Sequence, residues 1–259
     1  MLSGSPSERH HMSSFTDRVA LITGAGSGIG RAMAHAFAQA GATVVACDVN
    51  RDSAEETAKD VNGLAVAADI SDENSVAQLV ETVVGAYGRI DVLCNNAGIM
   101  DNMALPADVS VAMWHRVIGV NLTGAFLVTH AVLPHMLRQG RGAIVNTASE
   151  AGIRGGAAGV AYTASKHGVI GITRNVAWAY AKEGIRCNAI LPGPTMTGIA
   201  GSAGDFDATG AARLMPVIAL GELMAQPENM ADVAVFLASD AASFVNGALV
   251  PVDGGWSAA

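Results

Sequence analysis

From residue 18 onward, short apolar runs alternate with longer stretches in which apolar positions recur every three or four residues. The runs at 19–23, 43–48, 64–68, 91–95, 143–147, 186–190 and 248–252 are mostly apolar throughout, the pattern of parallel strands covered on both faces. Between them, helical spacing predicts helices over 28–39, 52–60, 73–87, 111–137, 160–182 and 227–238. Such alternation predicts βαβ units: an α/β fold with a doubly wound, Rossmann-like parallel sheet of about seven strands in three αβα layers. No linker, charge block or repeat divides the chain, so 18–259 reads as one domain. Residues 1–17, serine-rich and carrying His10-His11-Met12, read as a tail outside it, disordered or an added extension.

Residues 191–215 break the rhythm, with Pro192, Pro194, Gly193, Gly198, Gly201, Gly204 and Gly210. A connection this long inside a compact domain points to a lid over a ligand; the alternative is an irregular surface loop.

Composition narrows the partners. Hydrophobic residues make up 51% and charged ones 15%, enough for a large core. A net charge of −8 without a Lys/Arg cluster argues against nucleic acid. The uncharged stretch 119–137 is long enough to test as a membrane span, but Asn121, Thr123, Thr129, His130, Pro134 and His135 make it a buried helix instead, with no membrane partner expected. Residues 1–17 lack the apolar core of a signal peptide. Cys47, Cys94 and Cys187 are scattered and odd in number, which suits reduced thiols and a cytoplasmic location. His115, His130, His135 and His167 lack metal-ligand spacing, so no metal is expected.

Two patterns carry chemistry. Thr23-Gly24-Ala25-Gly26-Ser27-Gly28-Ile29-Gly30 follows the first strand and opens the first helix. Glycines there permit a tight turn and close approach of a pyrophosphate, with the helix N-terminus facing the anion. Asp48 closes the second strand, where a carboxylate accepts from ribose hydroxyls and repels a 2′-phosphate. Val49 follows it and Arg51 reads as a solvated helix-start residue, so the expected cofactor is NAD, with NADP disfavoured. The second pattern is Tyr162-Thr163-Ala164-Ser165-Lys166, thirteen residues after Ser149. Residues i and i+4 share a helix face, and an ammonium beside a phenol favours phenolate, as proton exchange with an alcohol requires.

Together these residues resemble the short-chain dehydrogenase/reductase family, in its single-domain branch of about 250 residues, over roughly Arg18 to Gly255. The glycine loop is similar to that family's T-G-x-x-x-G-x-G pattern, with Gly24, Ser27, Gly28, Ile29 and Gly30 at the cofactor. Asp69-Ile70 resembles the adenine-contacting dipeptide, and Asn95-Asn96-Ala97-Gly98 the motif after the fourth strand. Asn121, Ser149, Tyr162 and Lys166 match the catalytic tetrad. Pro192-Gly193-Pro194-Thr195-Met196-Thr197 resembles the stretch that holds the nicotinamide carboxamide, and Val252-Asp253-Gly254-Gly255 the closing motif. Glu222 departs from the family, which frequently has Arg there, and puts a shared ion pair in doubt.

The resemblance implies an NAD(H)-dependent interconversion of a secondary alcohol and a ketone. Ser149 would hydrogen-bond the reacting oxygen, Tyr162 would exchange the proton, and Lys166 would lower the Tyr162 pKa and bind the ribose. Asn121 would hold a water behind Lys166. Taken singly, Asn121 also reads as a helix kink or cap, Ser149 as a turn residue and Lys166 as a solvated charge. The resemblance implies a homotetramer and a small alcohol or ketone as substrate, unnamed by the sequence. Glu150, Arg154 and Asp205 are polar candidates near that substrate, and Met196, Met215 and Met224 either line it or fill the core. A 3-oxoacyl-thioester reductase and a non-catalytic NAD sensor are the alternatives.

Overall fold

The structure, a computed structural model, describes residues 15–258. Seven strands form one parallel sheet in the order β3-β2-β1-β4-β5-β6-β7. They are β1 (Val19–Thr23), β2 (Thr43–Asp48), β3 (Leu64–Ala67), β4 (Val92–Asn95), β5 (Gly142–Thr147), β6 (Ile185–Pro192) and β7 (Leu249–Val252). Successive β1 residues serve opposite faces: Ala20 and Ile22 pack with α1 (Gly28–Gln39) and α8 (Pro227–Ala238), Val19 and Leu21 with α3 (Glu73–Tyr87) and α5 (Ala125–Gln139). That two-sided burial is why the strands read as unbroken apolar runs. The strand order reverses between β1 and β4, and a crevice opens there at the carboxyl ends of the strands.

Several of the helices start where a neighbouring polar side chain caps them. Asn50 accepts from the Ser53 amide ahead of α2 (Arg51–Asp60), Asp72 from Ser75 ahead of α3, and Ser110 from Met113 ahead of α4 (Val111–Ile118). Gly88 and Gly140 end α3 and α5 in the left-handed region that glycine adopts without strain.

Four expectations need correction. Phe15 is fully buried, edge-on to Phe37 at 5.2 Å between ring centroids, and its amide bonds Ala40, so residues 15–17 belong to the folded body and not to the tail. The rest of the expected tail, 1–14, lies outside the described residues. The helix expected over 111–137 is α4 and α5 joined by a π-helical turn at Gly119–Gly124. The helix expected to reach residue 182 is α6 (Val160–Ala179), followed by a separate single turn at Ala181–Glu183. The irregular segment 191–215 is largely ordered: β6 runs to Pro192, a short turn spans Ile199–Ala203, and α7 (Ala208–Ile218) follows, capped by Asp207. Gly210 alone is fully buried in α7; Ala211, Leu214, Val217 and Ile218 form only a short, half-buried stripe, and Pro216 inside it, together with the glycines before it, masks the pattern. By length and composition the joined helices Val111–Gln139 would span a bilayer, yet Val128, Val132, Leu133 and Met136 pack into the core beneath the sheet.

Candidate active site

The crevice is a cavity of about 690 Å³ lined from both halves of the sheet. Each of the glycines Gly24, Gly28 and Gly30 has a distinct reason. Gly24 has φ +66°, and a Cβ there would lie 2.8 Å from Ala97 Cα; Gly28 has φ +51°. Gly30 does not line the cavity; it lets α1 pack onto the Gly24 carbonyl. No side chain caps α1 and no acid stands in its first turn, unlike α2 and α3, so its N-terminal amides and dipole are left for an anion. This cradle suits a dinucleotide's phosphates.

Asp48 closes the loop and faces the cavity. Its Oδ2 accepts from Gly26 N at 2.9 Å and its Oδ1 from Asn50 N at 3.0 Å. Val49 beside it is exposed, while Arg51 pairs with Glu55 at 3.8 Å on α2. Asp69 also lines the wall with Ile70, its carboxylate turned into its own bend through Ser71 N and Oγ. Asn96 clamps loop to sheet: its Nδ2 donates to the Thr23 carbonyl at 3.2 Å and its Oδ1 accepts from Thr147 Oγ1 at 3.2 Å. Ala97, Gly98, Pro192, Gly193, Thr195 and Thr197 complete this wall.

Ser149 lies just past β5 and caps the turn Glu150–Gly152, its Oγ accepting from Ala151 N at 3.1 Å. Tyr162 and Lys166 occupy successive turns of α6 and point to the cavity, both buried. Lys166 Nζ donates to the Thr147 carbonyl at 2.8 Å and stands 5.4 Å from the centroid of the Tyr162 ring. Burial pushes the Tyr162 phenol up to about 12; the Ser149 hydroxyl works against this and the Asp101 charge adds to it. Burial also lowers Lys166 to about 8. In the protein alone desolvation dominates the phenol, and the Lys166 ammonium is directed at the Thr147 carbonyl.

Asn121 sits in the π turn, buried behind the cavity wall. Its Nδ2 donates to Ile99 O at 2.9 Å and to Ser165 Oγ at 3.2 Å, and its Oδ1 accepts from Ile99 N at 2.8 Å. The inserted residue of the π turn is what aims this side chain at the 95–99 loop. A Cβ on Gly98 would sit 3.4 Å from Asn121 Oδ1 and 3.5 Å from Lys166 Nζ, so both groups face one small space.

Sequence reasoning missed Asp101. It is buried, its Oδ2 accepts from Tyr162 N at 2.9 Å and its Oδ1 from Met103 N at 3.2 Å. It caps α6 in place of Gly159, which has no side chain and could not carry one against that carboxylate. A cap delivered across 61 residues leaves no local signature. Trp256 was missed too; it lines the cavity, and its Nε1 donates to Val217 O in α7 at 3.0 Å. Of the methionines proposed, Met224 lines the cavity while Met196 and Met215 are half-exposed elsewhere. Arg154 turns from the cavity to Glu150, and Asp205 is exposed outside the lining. Glu222 is exposed and forms no ion pair among the described residues.

The family model described as enoyl-(acyl carrier protein) reductase matches residues 24–257. The chain is 45% identical over 250 residues to cis-4-hydroxycyclohexanecarboxylate dehydrogenase of Sinomonas cyclohexanicum, covering 94% of this chain and 98% of that one. The crystal structure of levodione reductase superposes with a TM-score of 0.87 at 41% identity, over 95% of this chain and 99% of that one. A 3-ketoacyl-(acyl-carrier-protein) reductase from Brucella melitensis, complexed with NADH, gives 0.86 at 35% identity over 94% and 100%. A further solved relative, described as a putative gluconate 5-dehydrogenase from Beutenbergia cavernae, has bound NADP. The chain belongs to the short-chain dehydrogenase/reductase family. It is an NAD(P)-dependent oxidoreductase acting on CH–OH groups, interconverting a secondary alcohol and a ketone.

The Asp101 cap yields a prediction. Asp101→Ala should lower unfolding free energy by about 0.5–2 kcal/mol in chemical denaturation, and Asp101→Asn should recover most of it. An Ala variant with an unchanged midpoint would show that α6 does not depend on this carboxylate.

Proposed function

We propose that the protein is an NAD-preferring dehydrogenase of uncharged secondary alcohols in which Tyr162 exchanges the proton of the reacting hydroxyl. The observation that carries this reading is the meeting of Tyr162, Ser149 and Lys166 on the wall of a cavity whose remaining substrate side is apolar. Bound NAD supplies or accepts the hydride. Ser149 and Tyr162 direct hydrogen-bond donors to the substrate oxygen, where charge changes during the reaction. Lys166 has donors beyond the one given to Thr147, and these suit the ribose hydroxyls. Asn121 keeps one acceptor lone pair facing the space beside Gly98 and Lys166, which suits a water relaying the proton outward.

Asp48 supports NAD: its carboxylate is fixed by two backbone amides at the ribose end of the crevice, and Arg51 is engaged by Glu55. Met100, Met103, Ile199, Ile218, Met224 and Trp256 support an uncharged, apolar substrate, in keeping with the compound named for the levodione reductase relative, whereas the carboxylate named for the Sinomonas relative is charged. A 3-oxoacyl-thioester substrate is the second reading, favoured by the Brucella relative. A carrier protein is acidic and needs a basic rim, and besides buried Lys166 the cavity lining offers only Arg116. The three buried, free cysteines support a reducing, cytoplasmic setting. Phe126 and Trp178, 50% and 85% exposed on α5 and α6, support a homotetramer that covers these helices.

Asp48→Ala should narrow the preference for NAD over NADP in kcat/KM; a wild-type enzyme that favours NADP would overturn the cofactor reading. Tyr162→Phe should cut turnover by about 10²–10⁴-fold while leaving NADH binding largely intact. Because the raised pKa keeps the phenol protonated through neutrality, ketone reduction should hold up there while alcohol oxidation climbs as the pH becomes alkaline. Near-normal turnover by the Phe variant would remove Tyr162 from the chemistry. Light scattering should find a tetramer, and a monomer at micromolar concentration would refute the assembly.

A further inference from the structure

Glu150 directly follows Ser149 and is wholly buried. Its Oε2 accepts from Arg154 Nε at 3.2 Å, but its Oε1 has no hydrogen-bond partner among the described residues. An ionised carboxylate left in this state would be costly, since buried acceptors are almost always supplied with a donor. The neighbouring side chain is another carboxyl group, Asp253, in the segment after β7. Asp253 is well provided for: its Oδ1 accepts from Gly255 N at 2.9 Å and its Oδ2 from Ser257 N at 2.7 Å.

Two carboxyl groups in side-chain contact, both out of water, cannot both be ionised without strong repulsion. One proton between them removes the repulsion and gives the orphaned oxygen its bond. Its location follows from the surroundings. Burial raises Asp253, but hydrogen bonds from Ser257 and Gly255 outweigh this and hold it below the usual range. Burial, and then the Asp253 charge, push Glu150 up to about 7 against the pull of Arg154. The charged groups acting on Glu150 are thus Asp253 from the closing segment and Arg154 from its own turn; α6 offers this turn the Lys166 carbonyl and the Ile170 side chain.

The pair stands at a junction. Arg154 Nη2 donates to Trp256 O at 2.8 Å, and Trp256 Nε1 holds Val217 of α7. Gly193 in the carboxamide stretch lies so close to Asp253 that a Cβ would come within 2.7 Å of the Asp253 Cβ. We propose that Glu150 and Asp253 share one proton, donated from the Glu150 carboxyl to the Asp253 carboxylate, and that this clasp positions the Ser149 turn, the 192–197 stretch and α7 around the substrate. Glu150 is a positioning residue that touches no substrate. Its proton makes the closed arrangement pH-sensitive: loss of that proton puts two like charges in one buried place and loosens α7.

The sign of the stability effect follows. Glu150 binds its proton more tightly folded than unfolded, so its contribution is fully present below the unfolded carboxyl value of 4.5 and is lost as pH rises through about 7. Infrared difference spectroscopy of the full chain, titrated from mildly acidic to mildly alkaline pH, should reveal a protonated-carboxyl carbonyl band that fades near neutrality and is missing in Glu150→Gln. Glutamine keeps both contacts, donating to Asp253 and accepting from Arg154, without titrating. Its melting temperature should therefore lack the decline that the wild type shows over this range. The kinetic arm rests on the proposed dehydrogenase reading: substrate KM should rise several-fold across neutrality in the wild type and stay flat in Glu150→Gln, while Glu150→Ala has the high KM at every pH. The infrared and melting arms need no substrate, so failure of the dehydrogenase reading is distinguishable from failure of the clasp. Absence of the carboxyl band, or its persistence in Glu150→Gln, overturns the proposal.

Discussion

Lys166 is an ammonium with almost no access to solvent, and the way its charge is satisfied ties the two halves of the crevice together. Nζ donates to the carbonyl of Thr147 at the end of β5, and the same threonine donates its hydroxyl to Asn96. Asn96 in turn donates to Thr23, at the entrance of the glycine loop. A buried charge tolerates little slack, because removing a partner strands it in a medium of low dielectric. Any shift of the β5 terminus would therefore disturb the glycine loop and α6 at once. This is a geometric coupling of the kind a hydride transfer needs, where positional errors of about an ångström are costly in rate.

The site concentrates polar groups that a core would ordinarily exclude. Tyr162, Lys166, Asp101 and Glu150 are all buried, and burial opposes the charged form of Tyr162, Lys166 and Glu150. They persist because the apolar layers on either face of the sheet hold their backbones in place and leave them no alternative arrangement. Desolvation is also useful here. It brings Lys166 and Glu150 to pKa values near neutrality, from opposite directions, which leaves both able to change charge under ordinary conditions.

The closed end of the cavity is built from parts distant in the chain. The loop after β4, the turn after β5, α7 and the segment after β7 meet through single hydrogen bonds: Met100 N to Ser202 Oγ, Asp207 N to Asn102 O, and Trp256 Nε1 to Val217 O. Few buried side chains back these contacts in α7. Local opening of such a weakly anchored element costs less than unfolding the sheet, so α7 is the least firmly held wall of the cavity.

Strands, glycine loop and the Tyr162–Lys166 pair were legible in the sequence because each is a local pattern: short apolar runs buried on both faces, a turn at a strand end, two residues one helical turn apart. The π turn at Asn121 was not, since one inserted residue barely alters the apolar spacing of a long helix. Neither was α7, whose short, half-buried stripe is interrupted by Pro216 and follows a run of glycines. The amino-acid sequence by itself determined the fold class, the place of the cofactor crevice and the chemical character of the reacting groups, all of which follow from short-range periodicity and residue type. Only the tertiary structure decided that Asp101 caps α6, that Lys166 spends its charge on Thr147 and that Glu150 meets Asp253. Those pairings join residues far apart in the chain, and hydrogen bonds and desolvation depend on distance in space, which no local pattern encodes.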